Sequence, residues 1–237
     1  MCISGIGACG ARGLASGRNM ICHRQRIVFV HLRRTAGNSI ESALGGIVLF
    51  DRLFRRTDVW DNQLHRGRSW YKRDCRGHRI HATAAEIRAR YPREFTRYFR
   101  FAFVRNPWEQ MASLYHRLHS RHPRGTGFGD WLKRFDLERG TVPQASLFDD
   151  DGRCLVDFIG RFEQLQQDFD AACDLAGIPR RQLPRTNHAA GPKLNELYDA
   201  DSLRIVERLY ADDIARFGYA FTDGRGQAAL PRMMQAA

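Results

Sequence analysis

The sequence predicts an α/β fold: a central parallel β-sheet with helices on its faces. Three observations carry this. Residues 26–31 (Arg-Ile-Val-Phe-Val-His) and 98–104 (Tyr-Phe-Arg-Phe-Ala-Phe-Val) are short runs rich in β-branched and aromatic residues. Such runs form strands buried on both faces, as in parallel sheets. Each leads through a polar junction into a helix-forming stretch, and a third pair follows at 155–159 and 162–176. Strands alternating with helices point to crossover units and a parallel sheet.

In chain order, residues 1–24 read as a loosely ordered arm, rich in Gly, Ala and Ser, with an apolar stretch too broken for a signal-peptide core. Met20 is an alternative start. A single domain is expected over 25–221, with a weakly ordered tail over 222–237. After the first strand, a polar loop opens a helix at 40–44 that Gly45-Gly46 is expected to end. Residues 51–80 are basic and irregular. A helix is predicted over 82–91, closed by Pro92.

The second strand runs straight into Arg105-Asn106-Pro107-Trp108-Glu109. Asn106 suits an N-cap, Pro107 the first helical position, and Glu109 the far corner of a capping box. Met111, Leu114, Tyr115 and Leu118 continue at helical spacing. Residues 120–129 read as a loop, 155–159 as the third strand, and 162–176 as an amphipathic helix ended by Gly177 and Pro179. A polar loop over 180–194 precedes a last helix over 202–217.

Composition narrows the partners. The 237 residues suit one domain with a core of ordinary size. Lys and Arg total 38 against 26 Asp and Glu, a net charge of +12. That excess favours polyanions: a phosphorylated nucleotide, an acidic polysaccharide, an anionic membrane or nucleic acid. The six cysteines are scattered without metal-ligand spacing, so reduced structural thiols are expected and a zinc site is not. No run of 18 apolar residues is present, so no transmembrane segment is expected. A soluble cytoplasmic protein is the expectation.

Chemistry concentrates in two places. The first is the loop His31-Leu-Arg33-Arg34-Thr35-Ala36-Gly37-Asn38-Ser39 between strand and helix. Backbone N–H groups of such a loop and of the helix start converge on one spot, where the helix dipole favours an anion. Gly37 would allow close backbone approach, Thr35 and Ser39 add hydroxyls, and Arg33 and Arg34 add charge. The phosphate loop of NTPases needs GxxxxGK[ST], and this loop lacks its first Gly and its Gly-Lys pair. A metal-free donor fits better than a metal–nucleotide complex, and an ordinary tight turn is the competing reading. The second place is the junction at Arg105, with Ser113 eight residues on in the next helix.

Residues 30–39 resemble the 5′-phosphosulfate loop of sulfotransferases, commonly His-Ile-Pro-Lys-Thr-Gly/Ala-Gly-Thr-Ser. Residues 101–115 are similar to that family's 3′-phosphate motif, in which an Arg ends a strand and a Ser follows in the helix. Stretches 159–165, 183–187 and 217–219 follow the same pattern, so the resemblance covers roughly 26–220. It is closest to the carbohydrate branch that includes heparan-sulfate 2-O-sulfotransferases and bacterial relatives.

The resemblance implies a P-loop-like sheet in the sulfotransferase fold. It implies sulfuryl transfer from 3′-phosphoadenosine 5′-phosphosulfate (PAPS) to a hydroxyl of a carbohydrate acceptor, the product PAP, and no metal. Arg33, Arg34, Thr35, Ala36, Gly37, Asn38 and Ser39 would hold the 5′-phosphosulfate, and Arg105 and Ser113 the 3′-phosphate. The family's Lys at the bridging oxygen is Arg34 here, and the Pro before it is Arg33. Arg34 can supply charge in the transition state but cannot act as a general acid. The general base is expected to be His81, which precedes an Ala-Thr-Ala-Ala-Glu helix start, with His78, in a Gly-His context, as the alternative. Capping of that helix is the competing role for both.

His31 is either near the site or a satisfied buried side chain. The Arg-rich stretches 52–56, 66–79 and 88–100 either line a glycan groove or form a solvated face, and Lys193 is a candidate nucleotide contact. Other classes remain as alternatives: a nucleotide-dependent kinase, a polyanion-binding module, or a sulfotransferase whose catalysis has degenerated through Arg34. Nucleic acid is not an expected partner. The acceptor's identity and the oligomeric state are not readable from the residues.

Overall fold

A computed structural model describes residues 20–23, 25–52, 83–118, 126–139, 143–184 and 194–221. Its centre is a four-stranded sheet in the order β1 (Met20–Cys22), β2 (Ile27–Val30), β3 (Phe99–Val104), β6 (Phe158–Arg161). β2, β3 and β6 run parallel, and β1 pairs antiparallel with β2. The predicted α/β class with a parallel sheet is what forms. β1 falls in the stretch expected to be a loose arm, so the sheet begins earlier in the chain than anticipated.

Side chains alternate across a strand, and here both faces are apolar. Val28, Val30, Ala102 and Val104 pack on one side, and Ile27, Phe29, Phe101 and Phe103 on the other. The Phe side is covered by α1 (Gly37–Arg52) through Ile40, Ala43 and Leu44. It is also covered by α6 (Leu165–Leu175) through Phe169, Ala172 and Cys173. The Val side is covered by α2 (Ala84–Arg90), α3 (Pro92–Arg97) and α4 (Pro107–Leu118). Helices α5 (Phe128–Arg139), α8 (Ala200–Leu209) and α9 (Ala211–Phe217) add to that layer. A short α7 (Leu194–Leu197) precedes α8. Gly160 of β6 sits so close to β3 that a Cβ there would stand 2.4 Å from the Phe103 ring.

Several boundaries differ from expectation for identifiable reasons. α1 runs through Gly45-Gly46 to Arg52, because a glycine costs a helix about 1 kcal/mol but ends it only where the backbone turns left-handed. Pro92 does close α2, but it also opens α3 at a position where its missing N–H costs nothing. The third strand starts at Phe158 rather than 155. Asp157 takes the Arg100 N–H on its carboxylate and also pairs with the Arg100 guanidinium, which marks the strand's beginning. Leu155 and Val156 are buried as an approach segment.

The single helix expected over 202–217 is two, broken at Tyr210 (φ −119°), whose hydroxyl reaches Met111 Sδ at 3.3 Å. The segment from Phe128, read partly as loop, is α5. A small hairpin, β4 (Asp149–Asp150) and β5 (Arg153–Cys154), turns through Asp151-Gly152, both with positive φ. Among the described residues no helix is long and apolar enough to cross a membrane. Cys22, Cys154 and Cys173 are free thiols.

Candidate active site

Parallel neighbours β2 and β3 deliver the β2–α1 loop and the β3–α4 junction to the same edge of the sheet. The carboxyl ends of parallel strands are where ligands bind in such folds. The loop is held tightly. Arg34 and Ala36 both adopt left-handed backbone, φ +62° and +63°. Ala36 O accepts the N–H groups of Ser39 (2.8 Å) and Ile40 (3.1 Å), which starts α1. The N–H groups of Gly37 and Asn38 precede that first helical bond, so α1 itself cannot satisfy them.

The Thr35 side chain is fully buried and donates to Leu32 O at 3.1 Å. It therefore ties the loop together. Ser39 is buried, while Arg33 and Asn38 are exposed. Left-handed backbone costs a non-glycine residue roughly 1–2 kcal/mol. Ala36→Gly is therefore expected to stabilise the fold by about 0.5–1 kcal/mol after the added chain entropy of glycine. The midpoint of denaturant unfolding checks it; an unchanged or lower midpoint would show that the turn is unstrained.

Gly37 is required for a reason the residues did not disclose. A Cβ there would lie 1.8 Å from His31 Nε2. The close approach is by the protein's own imidazole, packed under the loop. That ring is pinned: it stacks on Phe29 (centroids 5.6 Å apart, 17°) and its Nδ1 lies 2.9 Å from Glu41 Oε1. Both readings of His31 hold: its ring lies against the loop at Gly37, and it is buried with Nδ1 bonded to Glu41.

The β3–α4 junction is braced from four directions. Arg105 lies with its guanidinium 3.8 Å over the Phe162 ring and donates Nη2 to Glu109 Oε2 at 3.2 Å. Burial lowers its pKa, opposed by Glu109 and Glu163. The Gln144 side chain brackets the Arg105 peptide, accepting its N–H and donating to its C=O, both at 2.8 Å. Gln144 thus acts as a strand partner where the sheet has run out. Asn106 Oδ1 accepts from Trp108 N at 3.1 Å, so it does cap α4. The predicted box with Glu109 is not made: the Asn106 N–H goes to Glu163 Oε1 at 2.6 Å, and Glu109 pairs with Arg105 instead. Burial, ahead of the Asn106 hydrogen bond, raises the Glu163 pKa.

The two motifs touch. Arg105 Nη1 donates to Arg34 O at 3.2 Å, and Gln110 Nε2 donates to Arg33 O at 2.8 Å. Arg34 donates Nε and Nη2 to Ser113 Oγ, at 2.9 and 2.7 Å. The guanidinium expected at a bridging oxygen thus reaches the serine of the other motif. Burial and then repulsion from Arg105 and Arg117 push the Arg34 pKa down to about 10, so it stays charged at neutral pH. Arg105 Nε is buried with no hydrogen-bond partner among the described residues. Surplus positive charge and an unused buried donor fit an anionic group.

His78, His81, Lys193 and most of the Arg-rich stretches 52–56 and 66–79 lie outside the described residues. α2 is capped by Thr83, whose Oγ1 accepts from Glu86 N (3.1 Å) while Glu86 Oε2 accepts from Thr83 N (2.8 Å). The capping role weighed for the histidines is therefore filled. Sequence reasoning missed Gln110, Gln144, Phe162 and Glu163, and read Glu109 only as a cap. Gln144 and Phe162 come from 39 and 57 residues beyond Arg105, with no local pattern to reveal them.

No curated protein matches the chain. A crystal structure of a sulfotransferase from Alicyclobacillus acidocaldarius is similar over 83% of this chain and 96% of its own length, at 18% identity and a TM-score of 0.42. The model of the family described as "Sulfotransferase family" matches residues 18–220, which takes in the whole sheet, the β2–α1 loop and the β3–α4 junction. Matched over that span, the chain belongs to the sulfotransferase family.

Proposed function

We propose that the protein transfers the sulfuryl group of PAPS to a hydroxyl of a carbohydrate. One observation supports the donor assignment: the Arg34–Ser113 and Arg105–Arg34 hydrogen bonds join the two motifs into one basic cluster. Gly37 and Asn38 N–H groups at the start of α1, with the Ser39 hydroxyl, would hold the 5′-phosphosulfate. Arg105 and Ser113 would hold the 3′-phosphate, Arg105 offering its unused Nε and a fork suited to phosphate oxygens. Thr35, with its proton on Leu32 O, keeps the loop in shape. Carbohydrate as acceptor is supported by the resemblance to the heparan-sulfate 2-O branch and by the +12 charge.

The reaction demands in-line geometry and a base. In this reading His81, with His78 as the alternative, takes the proton of the acceptor hydroxyl. The acceptor oxygen then bonds to sulfur as the bond from sulfur to the phosphate oxygen breaks. PAP leaves with that electron pair, its charge met by N–H groups at the α1 start and by the Arg34 guanidinium.

PAP is expected to raise the melting temperature more than AMP at equal concentration, since the two differ only in the 3′-phosphate. Equal shifts would remove the basis for a PAPS donor. Turnover of radiolabelled PAPS onto heparan-type saccharides, and its loss in His81→Ala, tests the acceptor and the base.

A further inference from the structure

We propose that Arg34 serves the 3′-phosphate end of the donor, as a further cationic arm beside Arg105 and Arg117, and so sets the preference for a 3′-phosphorylated nucleotide. The proposal rests on the PAPS reading above and changes the part that Arg34 plays in it.

The geometry is specific. Nε and Nη2 of Arg34 both point at Ser113 Oγ, so one edge of the guanidinium fork faces α4. A hydroxyl oxygen occupies only part of a group with five N–H donors. Arg117 lies one turn after Ser113 on α4, and residues four apart share a helix face. Arg105 meets the same loop through the Arg34 carbonyl, at 3.2 Å. Arg34, Ser113, Arg105 and Arg117 thus surround one region.

The charges there do not cancel. Arg34 feels the charges of Arg105 and Arg117, and the carboxyls of Glu109 and Glu163 act on Arg105. Glu109 is paired with Arg105. Burial raises the Glu163 pKa, and its carboxyl accepts the Asn106 N–H. The depressed Arg34 pKa, caused by burial and by the two other arginines, reflects the same surplus. A phosphate monoester carries about −1.5 to −2 at neutral pH and three acceptor oxygens. It would relieve the repulsion and use the remaining donors. With Arg34 so placed, the leaving oxygen at the other end depends on the N–H groups at the α1 start.

Calorimetric titration of PAP and AMP onto the full chain separates the two ends. Wild type should bind PAP more tightly than AMP. Arg34→Asn, chosen because Asn tolerates the left-handed backbone at this position, should lose about tenfold or more in PAP affinity while AMP affinity stays within about threefold. If the Asn variant fails to fold, Arg34→Lys serves. It keeps the charge but not the two-donor fork, and should narrow the PAP-over-AMP preference in the same direction. Equal losses for PAP and AMP would place Arg34 at the 5′ end and overturn the inference while leaving the PAPS donor standing. A wild type that binds PAP no better than AMP would overturn both.

Discussion

Gly37→Ala is expected to cost about 2–4 kcal/mol of stability and to abolish donor binding, a large effect for one methyl group. The added carbon would sit 1.8 Å from His31 Nε2, 2.1 Å from Cδ2 and 2.5 Å from Cε1. A flexible side chain could retreat, but this ring is 6% exposed, stacked on Phe29 and held by Glu41. The loop must move instead, and with it the N–H groups that open α1. Removing the obstacle tests the cause. His31→Ala in the Gly37→Ala background should recover part of the lost stability, although His31→Ala alone destabilises by opening a cavity. Additive losses in the double variant, measured by denaturant unfolding, would rule out the ring as the reason for glycine.

Asp213→Ala is expected to lower stability by about 3–5 kcal/mol and to weaken PAP binding from a distance. Asp213 is fully buried on α9, and its oxygens accept the N–H groups of Gln144 (2.6 Å) and Ala145 (2.9 Å). Without the carboxylate, two buried donors lose their partner. Gln144 is the residue that brackets the Arg105 peptide, so Arg105 should lose its fixed position. The expected signature is a larger loss of affinity for PAP than for AMP. Loss of stability with the PAP-to-AMP ratio unchanged would confine Asp213 to folding.

Asp213 also has a pH signature. Burial outweighs its hydrogen bonds and raises its pKa above the ordinary 3.8. A carboxyl that holds its proton more firmly when folded contributes stability that is full below its unfolded pKa. That contribution declines as pH rises through the raised value. The stability of wild type relative to Asp213→Asn should therefore fall as pH increases just above 4, as pH-dependent unfolding would show.

Much of this protein was legible in its residues because the signals are local. The apolar runs at 26–31 and 98–104 announce β2 and β3, and burial on both faces confirms why they lack a polar alternation. Asn106 and Pro107 mark the start of α4 by capping chemistry that needs only neighbours in sequence. Asp151-Gly152 is a strong hairpin signal that could have revealed β4 and β5.

The sequence by itself determined the α/β class, the two strand-to-helix junctions and the family to which their motifs belong. Only the tertiary structure decided what those residues touch. His31 explains Gly37, Glu163 displaces Glu109 from the cap, Asp213 and Gln144 hold Arg105, and the Arg34 fork turns to Ser113. Periodicity and caps act within a turn or two of chain. These contacts join residues from 6 to 79 positions apart, and which of them form depends on parallel pairing that brings distant loops to one edge of the sheet.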